Sequence, residues 1–193
     1  MVTLTANDAL LIADIQKDFL PGGSLGIAGG DTIIPILLNY IRRFHTRQLP
    51  IFLTRDWHPP NHCSFRSQGG RWPVHCVAGS PGSLPPPTFD APLSAVIIYK
   101  AIDRDQEAYS AFQFTPLDRH LRALGIRRLF IGGLATDYCV LKTVTDALAS
   151  GYAVCLLIDA IKAVNLQPDD GRCAEQNMIR LGAAPVRLET LAA

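Results

Sequence analysis

A cysteine stands where an apolar run gives way to a helical pattern, in the segment "GGLATDYCV" at 132–140. Two glycines end the apolar run, and the helix is expected to start near Thr136 or Asp137, which puts Cys139 in its first turn. The helix dipole and the unpaired N–H groups of that turn favour the thiolate, the nucleophilic form of the side chain. The same N–H groups could hold an oxyanion. Cys139 is therefore a candidate nucleophile, although many cysteines are simply small buried apolar residues.

Two charged residues could supply the base that a nucleophilic cysteine needs. Asp14 ends the apolar run 9–14, and Lys100 ends the run 94–100. A carboxylate beside the thiol could accept its proton and later donate it to a leaving amine, while an ammonium group would stabilise both anions. Each residue taken alone is better explained as a strand-end charge that reaches water, whereas three such residues brought together by the topology favour a site. No histidine ends an apolar run, so a Cys–His pair is not indicated.

The segment 55–76 has the composition of a metal site and holds three of the five histidines. Its candidate ligands are Asp56, His58, His62 and His75. A closed structural zinc site usually has paired cysteines, whereas Cys63 and Cys76 are single. Carboxylate and imidazole together fit an open site for a divalent cation, most readily Zn²⁺, with Fe²⁺ and Mn²⁺ as alternatives. The alternative to a metal site is a loop whose histidines are simply solvated.

Six short apolar segments predict β-strands at 9–14, 49–54, 94–100, 127–133, 153–159 and 184–188. Most are nearly continuous apolar runs, which is typical of strands buried on both faces. Helical patterns occupy 31–47, 115–125, 137–149 and 169–181. The alternation predicts a single α/β domain over 1–193, with a mostly parallel six-stranded sheet and helices on both faces in a Rossmann-type three-layer arrangement. In such sheets the site lies beyond the carboxyl ends of the strands, which would bring together Asp14, Asp56, Lys100 and the turn 132–139.

The composition excludes several other classes of protein. With 193 residues, 48% hydrophobic and 18% charged, the chain is expected to fold rather than remain disordered. A net charge of +1 and the absence of basic clusters argue against nucleic acid and membrane partners. The apolar runs are too short to span a bilayer. An odd number of cysteines without framework spacing favours free thiols in a reducing cytoplasm.

Four blocks of sequence resemble the isochorismatase-like cysteine hydrolases and, within them, the nicotinamidases, also called pyrazinamidases. These blocks are "DIQKDFLPGGSL" (14–25), "TRDWHPPNHCSF" (54–65) with "WPVHC" (72–76), "YKAIDRDQEAYSAF" (99–112) and "GGLATDYCV" (132–140). They cover most of the chain in the order found in the family. The D-x-H and W-P-x-H-C blocks are more specific to nicotinamidases than the Cys and Asp blocks.

The resemblance implies hydrolysis of nicotinamide, and of pyrazinamide, through a cysteine thioester, with a place in NAD salvage. It implies that Asp14, Lys100 and Cys139 are catalytic, that one divalent cation is bound, and that the oligomeric state varies among members. The implied metal ligands are Asp56, His58 and His75, with His62 either a ligand or a near neighbour. The implied oxyanion hole consists of the N–H groups of Ala135 and Cys139, with a cis peptide bond before Ala135. Phe19, Trp72 and Tyr109 would line the pocket for the substrate ring.

One departure from the family pattern lies before "YSAF", where Glu107-Ala108 replaces the acid that many members carry just ahead of the tyrosine. This affects the expected fit of the substrate rather than the catalytic set. Rival activities within the superfamily are vinyl-ether hydrolysis of the isochorismatase type and hydrolysis of ureidoacrylate or N-carbamoyl amides. Outside enzymes, the alternatives are a non-catalytic binding protein on the same fold and a redox-sensing thiol.

Overall fold

The computed structural model describes residues 1–192 and contains a six-stranded sheet flanked by α-helices. The strands are β1 (Asp8–Ala13), β2 (Ile51–Asp56), β3 (Val96–Lys100), β4 (Arg128–Leu134), β5 (Ala153–Lys162) and β6 (Ala184–Val186). The helices are α1 (Ile34–Thr46), α2 (Leu117–Ala123), α3 (Leu141–Ala149) and α4 (Asp170–Arg180). The strand order is β3-β2-β1-β4-β5-β6, and every neighbouring pair is parallel. The predicted α/β class is confirmed, and the sheet is wholly parallel.

The sheet separates two apolar layers. Alternate residues of a strand point to opposite faces, so Leu10 and Ile12 of β1 enter one layer while Ala9 and Leu11 enter the other. The first layer is covered by α1, and the second by α2, α3 and α4. Burial on both faces explains why the strand sequences are continuous apolar runs rather than alternating ones.

Several element boundaries differ from the predicted ones by one to three residues. β2 begins at Ile51 rather than at 49, because Pro50 has no N–H to donate to the ladder. The carbonyl of Pro50 still accepts a hydrogen bond from the Leu10 N–H at 3.0 Å. The helix predicted at 137–149 begins with a π-helical turn at Thr136–Val140, which α3 then continues.

Two long connections lie at the carboxyl ends of the strands. One joins β1 to α1, and the other joins β2 directly to β3 without an α-helix. The second contains only short 3₁₀ turns, at Arg66–Gln68 and Pro81–Ser83. Loops of this length in a compact domain usually carry function. No helix within residues 1–192 is long and apolar enough to cross a membrane, and the five cysteines are all free thiols.

Candidate active site

The ends of three neighbouring strands bring the predicted charged residues together. Asp14 directly follows β1, Asp56 is the last residue of β2, and Lys100 is the last residue of β3. Asp56 and Lys100 are paired in the sheet register. Cys139 approaches from the turn after β4. All four residues are at most 6% exposed, so their charges and the thiol interact at short range and away from bulk water.

Lys100 lies at the centre of this cluster. Its Nζ is 3.0 Å from Asp14 Oδ2 and 3.4 Å from Cys139 Sγ, and it donates a hydrogen bond to Asp56 Oδ1. Burial alone would lower the pKa of Lys100, but the two carboxylates outweigh burial and hold that pKa well above its ordinary value. The side chain is therefore an ammonium group that links the predicted catalytic residues to a predicted metal ligand.

Burial raises the pKa of both groups that would exchange the first proton. The Cys139 thiol has a pKa well above its ordinary value because it is desolvated, although Lys100 opposes the shift. The position of Cys139 at a helix start favours a thiolate, but the desolvation is the larger effect, so the sulfur requires a base. Burial also raises the pKa of Asp14, which makes this carboxylate a stronger base than an exposed one. Thr54 Oγ1 donates to Asp14 Oδ1 at 2.6 Å and orients it.

The peptide bond between Leu134 and Ala135 is cis, as the resemblance implied. Ala135 and Cys139 both line the same pocket, one on each side of the start of the π-helical turn. Their N–H groups as an oxyanion hole remain a prediction.

Three of the four predicted metal ligands converge. Asp56, His58 and His75 each offer a ligand atom, and these atoms lie within 4.8 Å of one another. His58 Nε2 is 3.6 Å from Asp56 Oδ2, and it is buried without a hydrogen-bond partner among the described residues. A buried polar atom of this kind normally has a partner, and a cation is the partner that suits an imidazole nitrogen facing a carboxylate.

The two histidines are also oriented as metal-binding histidines usually are. His58 Nδ1 lies 3.2 Å from the carbonyl oxygen of Ala101, and His75 Nδ1 lies 2.8 Å from that of Pro73. A hydrogen bond to a carbonyl oxygen makes Nδ1 the protonated nitrogen. Nε2 then carries the free lone pair that can bind a metal. Burial lowers the pKa of His75, which favours the neutral imidazole that a metal requires. The residues present therefore fit a divalent cation.

His62 lies beside this group but its ring nitrogens are engaged elsewhere. Nδ1 is 2.7 Å from Ser64 Oγ, and Nε2 is 3.1 Å from the carbonyl oxygen of Gln106. The ring stacks on His58 with centroids 4.2 Å apart. Direct ligation by His62 would require one of these hydrogen bonds to break, so the geometry favours the alternative role of near neighbour.

The three predicted ring-binding residues line one pocket of about 380 Å³, part of it open to solvent. Phe19 and Trp72 are buried, and Trp72 Nε1 donates to Tyr109 Oη at 2.9 Å. Cys139 and the three converging ligands line the same pocket. A flat aromatic amide bound here would therefore contact the thiol and the cation site at once.

Sequence reasoning missed several residues of the site. Tyr138 lines the pocket and packs edge-on against Trp72, with ring centroids 5.0 Å apart. Its place beside Cys139 in "TDYCV" was a signal that could have identified it. Gln16 is fully buried and holds the backbone of Asp56 in both directions: Nε2 donates to the carbonyl oxygen at 2.8 Å, and Oε1 accepts from the N–H at 2.9 Å. Glu107, the departure from the family pattern, also lines the pocket.

The isochorismatase domain model matches residues 8–189, nearly the whole chain. The chain belongs to the isochorismatase family. Among curated members of this family, it is 38% identical to a nicotinamidase of Escherichia coli (strain K12), over 91% of this chain and 92% of the relative.

Solved structures agree with this assignment to the isochorismatase family. A pyrazinamidase of Pyrococcus horikoshii, crystallised in complex with zinc, superposes with a TM-score of 0.90 at 46% identity and covers 94% of this chain and 99% of its own. PnC1 from L. infantum, crystallised in complex with nicotinate, also has a TM-score of 0.90, at 34% identity, and covers 100% of this chain and 98% of its own.

Proposed function

We propose that this protein is a nicotinamidase that hydrolyses nicotinamide to nicotinate and ammonia, and that it also accepts pyrazinamide. One observation carries the proposal: Cys139, which contacts the buried Lys100–Asp14 pair, lines the same aromatic pocket as the Asp56–His58–His75 group. The identity to curated nicotinamidases supports the substrate. The product nicotinate would return to NAD synthesis, so the proposed role is NAD salvage in the cytoplasm.

In the proposed mechanism, Asp14 accepts the proton of the Cys139 thiol, and the sulfur attacks the amide carbon. The C–S bond forms as the carbonyl becomes an oxyanion, which the N–H groups of Ala135 and Cys139 stabilise. Asp14 then gives its proton to the leaving nitrogen, and the C–N bond breaks to release ammonia and leave a thioester. Asp14 next takes a proton from water as the water oxygen bonds to the thioester carbon. The C–S bond then breaks, nicotinate leaves, and Asp14 returns the proton to the sulfur to restore the thiol. Lys100 stabilises the negative charge on Asp14 and on the sulfur throughout.

Asp56, His58 and His75 would hold the divalent cation, and we propose Zn²⁺ because a carboxylate and two neutral imidazoles suit a borderline cation. When bound, the cation would orient the substrate through the pyridine nitrogen, which is a templating role. Phe19, Trp72 and Tyr109 confine the ring so that the amide carbon faces Cys139.

Release of ammonia from nicotinamide by the purified protein, with metal analysis of the same sample, tests the function. We expect ammonia from nicotinamide and pyrazinamide and none from an N-carbamoyl amide. A vinyl ether of the isochorismatase type, whose hydrolysis releases no ammonia and is followed by chromatography of the products, should remain intact. Turnover of the N-carbamoyl amide or the vinyl ether alone would refute the proposal.

Replacing Cys139 tests the nucleophile. We expect Cys139→Ala to abolish ammonia release while circular dichroism and the unfolding midpoint stay close to those of the wild type, because the change removes only the sulfur. Cys155→Ala, in β5 and outside the pocket, is the matched control and should retain activity. Residual turnover in Cys139→Ala near the wild-type rate would show that another group attacks the amide.

A further inference from the structure

The carboxylate of Asp18 lies outside the catalytic cluster and joins two separate loops. Its Oδ2 accepts the N–H of Cys76 at 2.7 Å, in the connection between β2 and β3. Its Oδ1 accepts the hydroxyl of Ser24 at 2.8 Å, in the connection between β1 and α1. The Asp18 carbonyl oxygen accepts the N–H of Leu25 at 2.9 Å, which closes the turn that follows. One residue therefore links two connections that both contribute residues to the pocket.

The peptide that Asp18 holds is paired with one metal ligand and adjacent to the other. Cys76 accepts the N–H of His58 through its own carbonyl oxygen at 3.0 Å, and it directly follows His75. Cys76 has a φ of +46°, a conformation that is uncommon for a residue with a side chain and needs such support. The hydrogen bond from Cys76 to Asp18 thus connects this carboxylate to the backbone of both histidines.

Phe19, the residue that follows Asp18, contacts the predicted metal ligand His75. The ring centroids of Phe19 and His75 are 5.6 Å apart. Leu25, whose N–H is bonded to the Asp18 carbonyl, also lines the pocket. The wall of the ring pocket and the histidine pair are therefore connected through Asp18.

The approach of the 81–83 turn shows how closely this carboxylate is enclosed. A Cβ added to Gly82 would lie 2.2 Å from Asp18 Oδ2 and 2.3 Å from Oδ1. Only glycine at position 82 leaves room for the carboxylate. The methyl group of Gly82→Ala would therefore push the Asp18 carboxylate away from Cys76 and Ser24.

We propose that Asp18 is a positioning residue that fixes the His58–Cys76 pairing to the connection between β1 and α1, called here the pocket loop. In this role Asp18 sets both the metal affinity and the binding of the substrate ring. The effect on binding of the substrate ring rests on the proposed function, whereas the effect on metal affinity does not. Asp18 does not touch the reacting atoms, so its loss should act on binding rather than on the chemical step.

The test equilibrates metal-loaded enzyme with a chromogenic chelator and measures the Zn²⁺ retained. We expect Asp18→Ala to weaken Zn²⁺ affinity about 10–100-fold, the range typical of residues that support metal ligands. KM for nicotinamide should rise while kcat at saturating Zn²⁺ stays near the wild-type value. Gly82→Ala should weaken Zn²⁺ affinity in the same direction. Asp31→Ala, an exposed carboxylate in the same connection, is the matched control and should retain Zn²⁺ like the wild type.

Two further variants test the two arms of the contact. Ser24→Ala removes only the pocket-loop arm, so KM should rise about fivefold, the effect of one hydrogen bond, with Zn²⁺ affinity unchanged. Asp18→Asn can keep both contacts, because its Oδ1 can accept from the Cys76 N–H while its Nδ2 donates to the Ser24 hydroxyl, so it should retain Zn²⁺ nearly as well as the wild type. If Asp18→Ala does not fold, Gly82→Ala provides the loss-of-contact measurement.

Wild-type Zn²⁺ retention in folded Asp18→Ala or in folded Gly82→Ala would overturn the proposal, as would an equal loss in Asp31→Ala. Because Zn²⁺ retention is measured without turnover, an inactive wild-type protein that retains Zn²⁺ would refute the proposed function and leave the role of Asp18 standing.

Discussion

Asp14 has a neighbourhood that suits a residue required to accept and return protons. It is fully buried, its Oδ1 accepts from Thr54, and its Oδ2 lies 3.0 Å from the Lys100 ammonium. Burial raises the pKa of the carboxyl group and Lys100 opposes that shift, so the group remains able to ionise yet binds a proton more readily than an exposed carboxylate. Both properties are needed in the proposed reaction, in which Asp14 changes its protonation state in each half.

Replacing Asp14 should therefore damage the chemical step. We expect Asp14→Asn to lower kcat by about 10²–10⁴-fold, the usual contribution of a general base, with a much smaller change in KM. Thr54→Val, which removes only the orienting hydroxyl, should give a smaller loss of kcat. Steady-state ammonia release measures both. A kcat for Asp14→Asn within tenfold of the wild-type value would mean that another group takes the thiol proton.

The residues that could be predicted from sequence are those whose chemistry is visible locally. The position of Cys139 at a helix start predicts a nucleophile. The spacing of two positions between Asp56 and His58 predicts a metal site. Gln16 gave no such signal, because its role depends on a backbone forty residues away. The engaged nitrogens of His62 depend on Gln106, which is equally remote in sequence.

At the scale of elements, the close contact between β1 and β4 aligns Asp14 with the turn that carries Cys139. Gly133 has a φ of +112°, and a Cβ there would lie 2.2 Å from the carbonyl oxygen of Ala13. The two glycines that end the apolar run were visible in the sequence as a turn. In the structure both glycines lie within β4, and Gly133 lets β4 approach β1 next to Asp14. This role of Gly133 requires knowledge of the strand order, which the sequence does not contain explicitly.

Gly133→Ala should cost more stability than an ordinary glycine substitution. We expect the free energy of unfolding to fall by about 3 kcal/mol, because the new methyl group overlaps backbone atoms that cannot move freely. Gly151→Ala is the matched control, since its φ is also positive, +87°, but nothing lies within 4 Å of its Cβ position. It should cost only the conformational part, about 1 kcal/mol. Urea unfolding measures both, and equal losses would contradict the role of the close contact.

Across the whole molecule, the apolar core lies in two layers against the faces of the sheet, while the cation site lies at the strand ends. The strand and helix patterns predicted these layers correctly because periodicity reports burial directly. The extent of a single domain over 1–193 stays a prediction. The path of the connection between β2 and β3 could not be predicted, because its polar contacts are made with residues distant in sequence.

Removal of the metal should therefore weaken substrate binding without unfolding the protein. We expect chelation to raise KM for nicotinamide while the unfolding transition remains cooperative. If the free metal had been at a hundredfold excess over its Kd, the loss of stability should be about 2.7 kcal/mol. Thermal unfolding followed with and without chelator measures this. Collapse of the transition on chelation would indicate a structural site.

The connection between β2 and β3 carries residues of the metal site and the pocket, whereas the predicted catalytic residues lie at the strand ends and in the turn after β4. Strand ends supply Asp14, Lys100 and the turn with Cys139, whereas this loop carries both converging histidines and Trp72. The two histidines and Trp72 can therefore be varied within this loop while the groups proposed to break the amide bond keep their places at the strand ends. For an engineer, segment 57–95 is the part to graft or randomise, with Gln16 and Asp18 retained as its anchors to the sheet and the pocket loop.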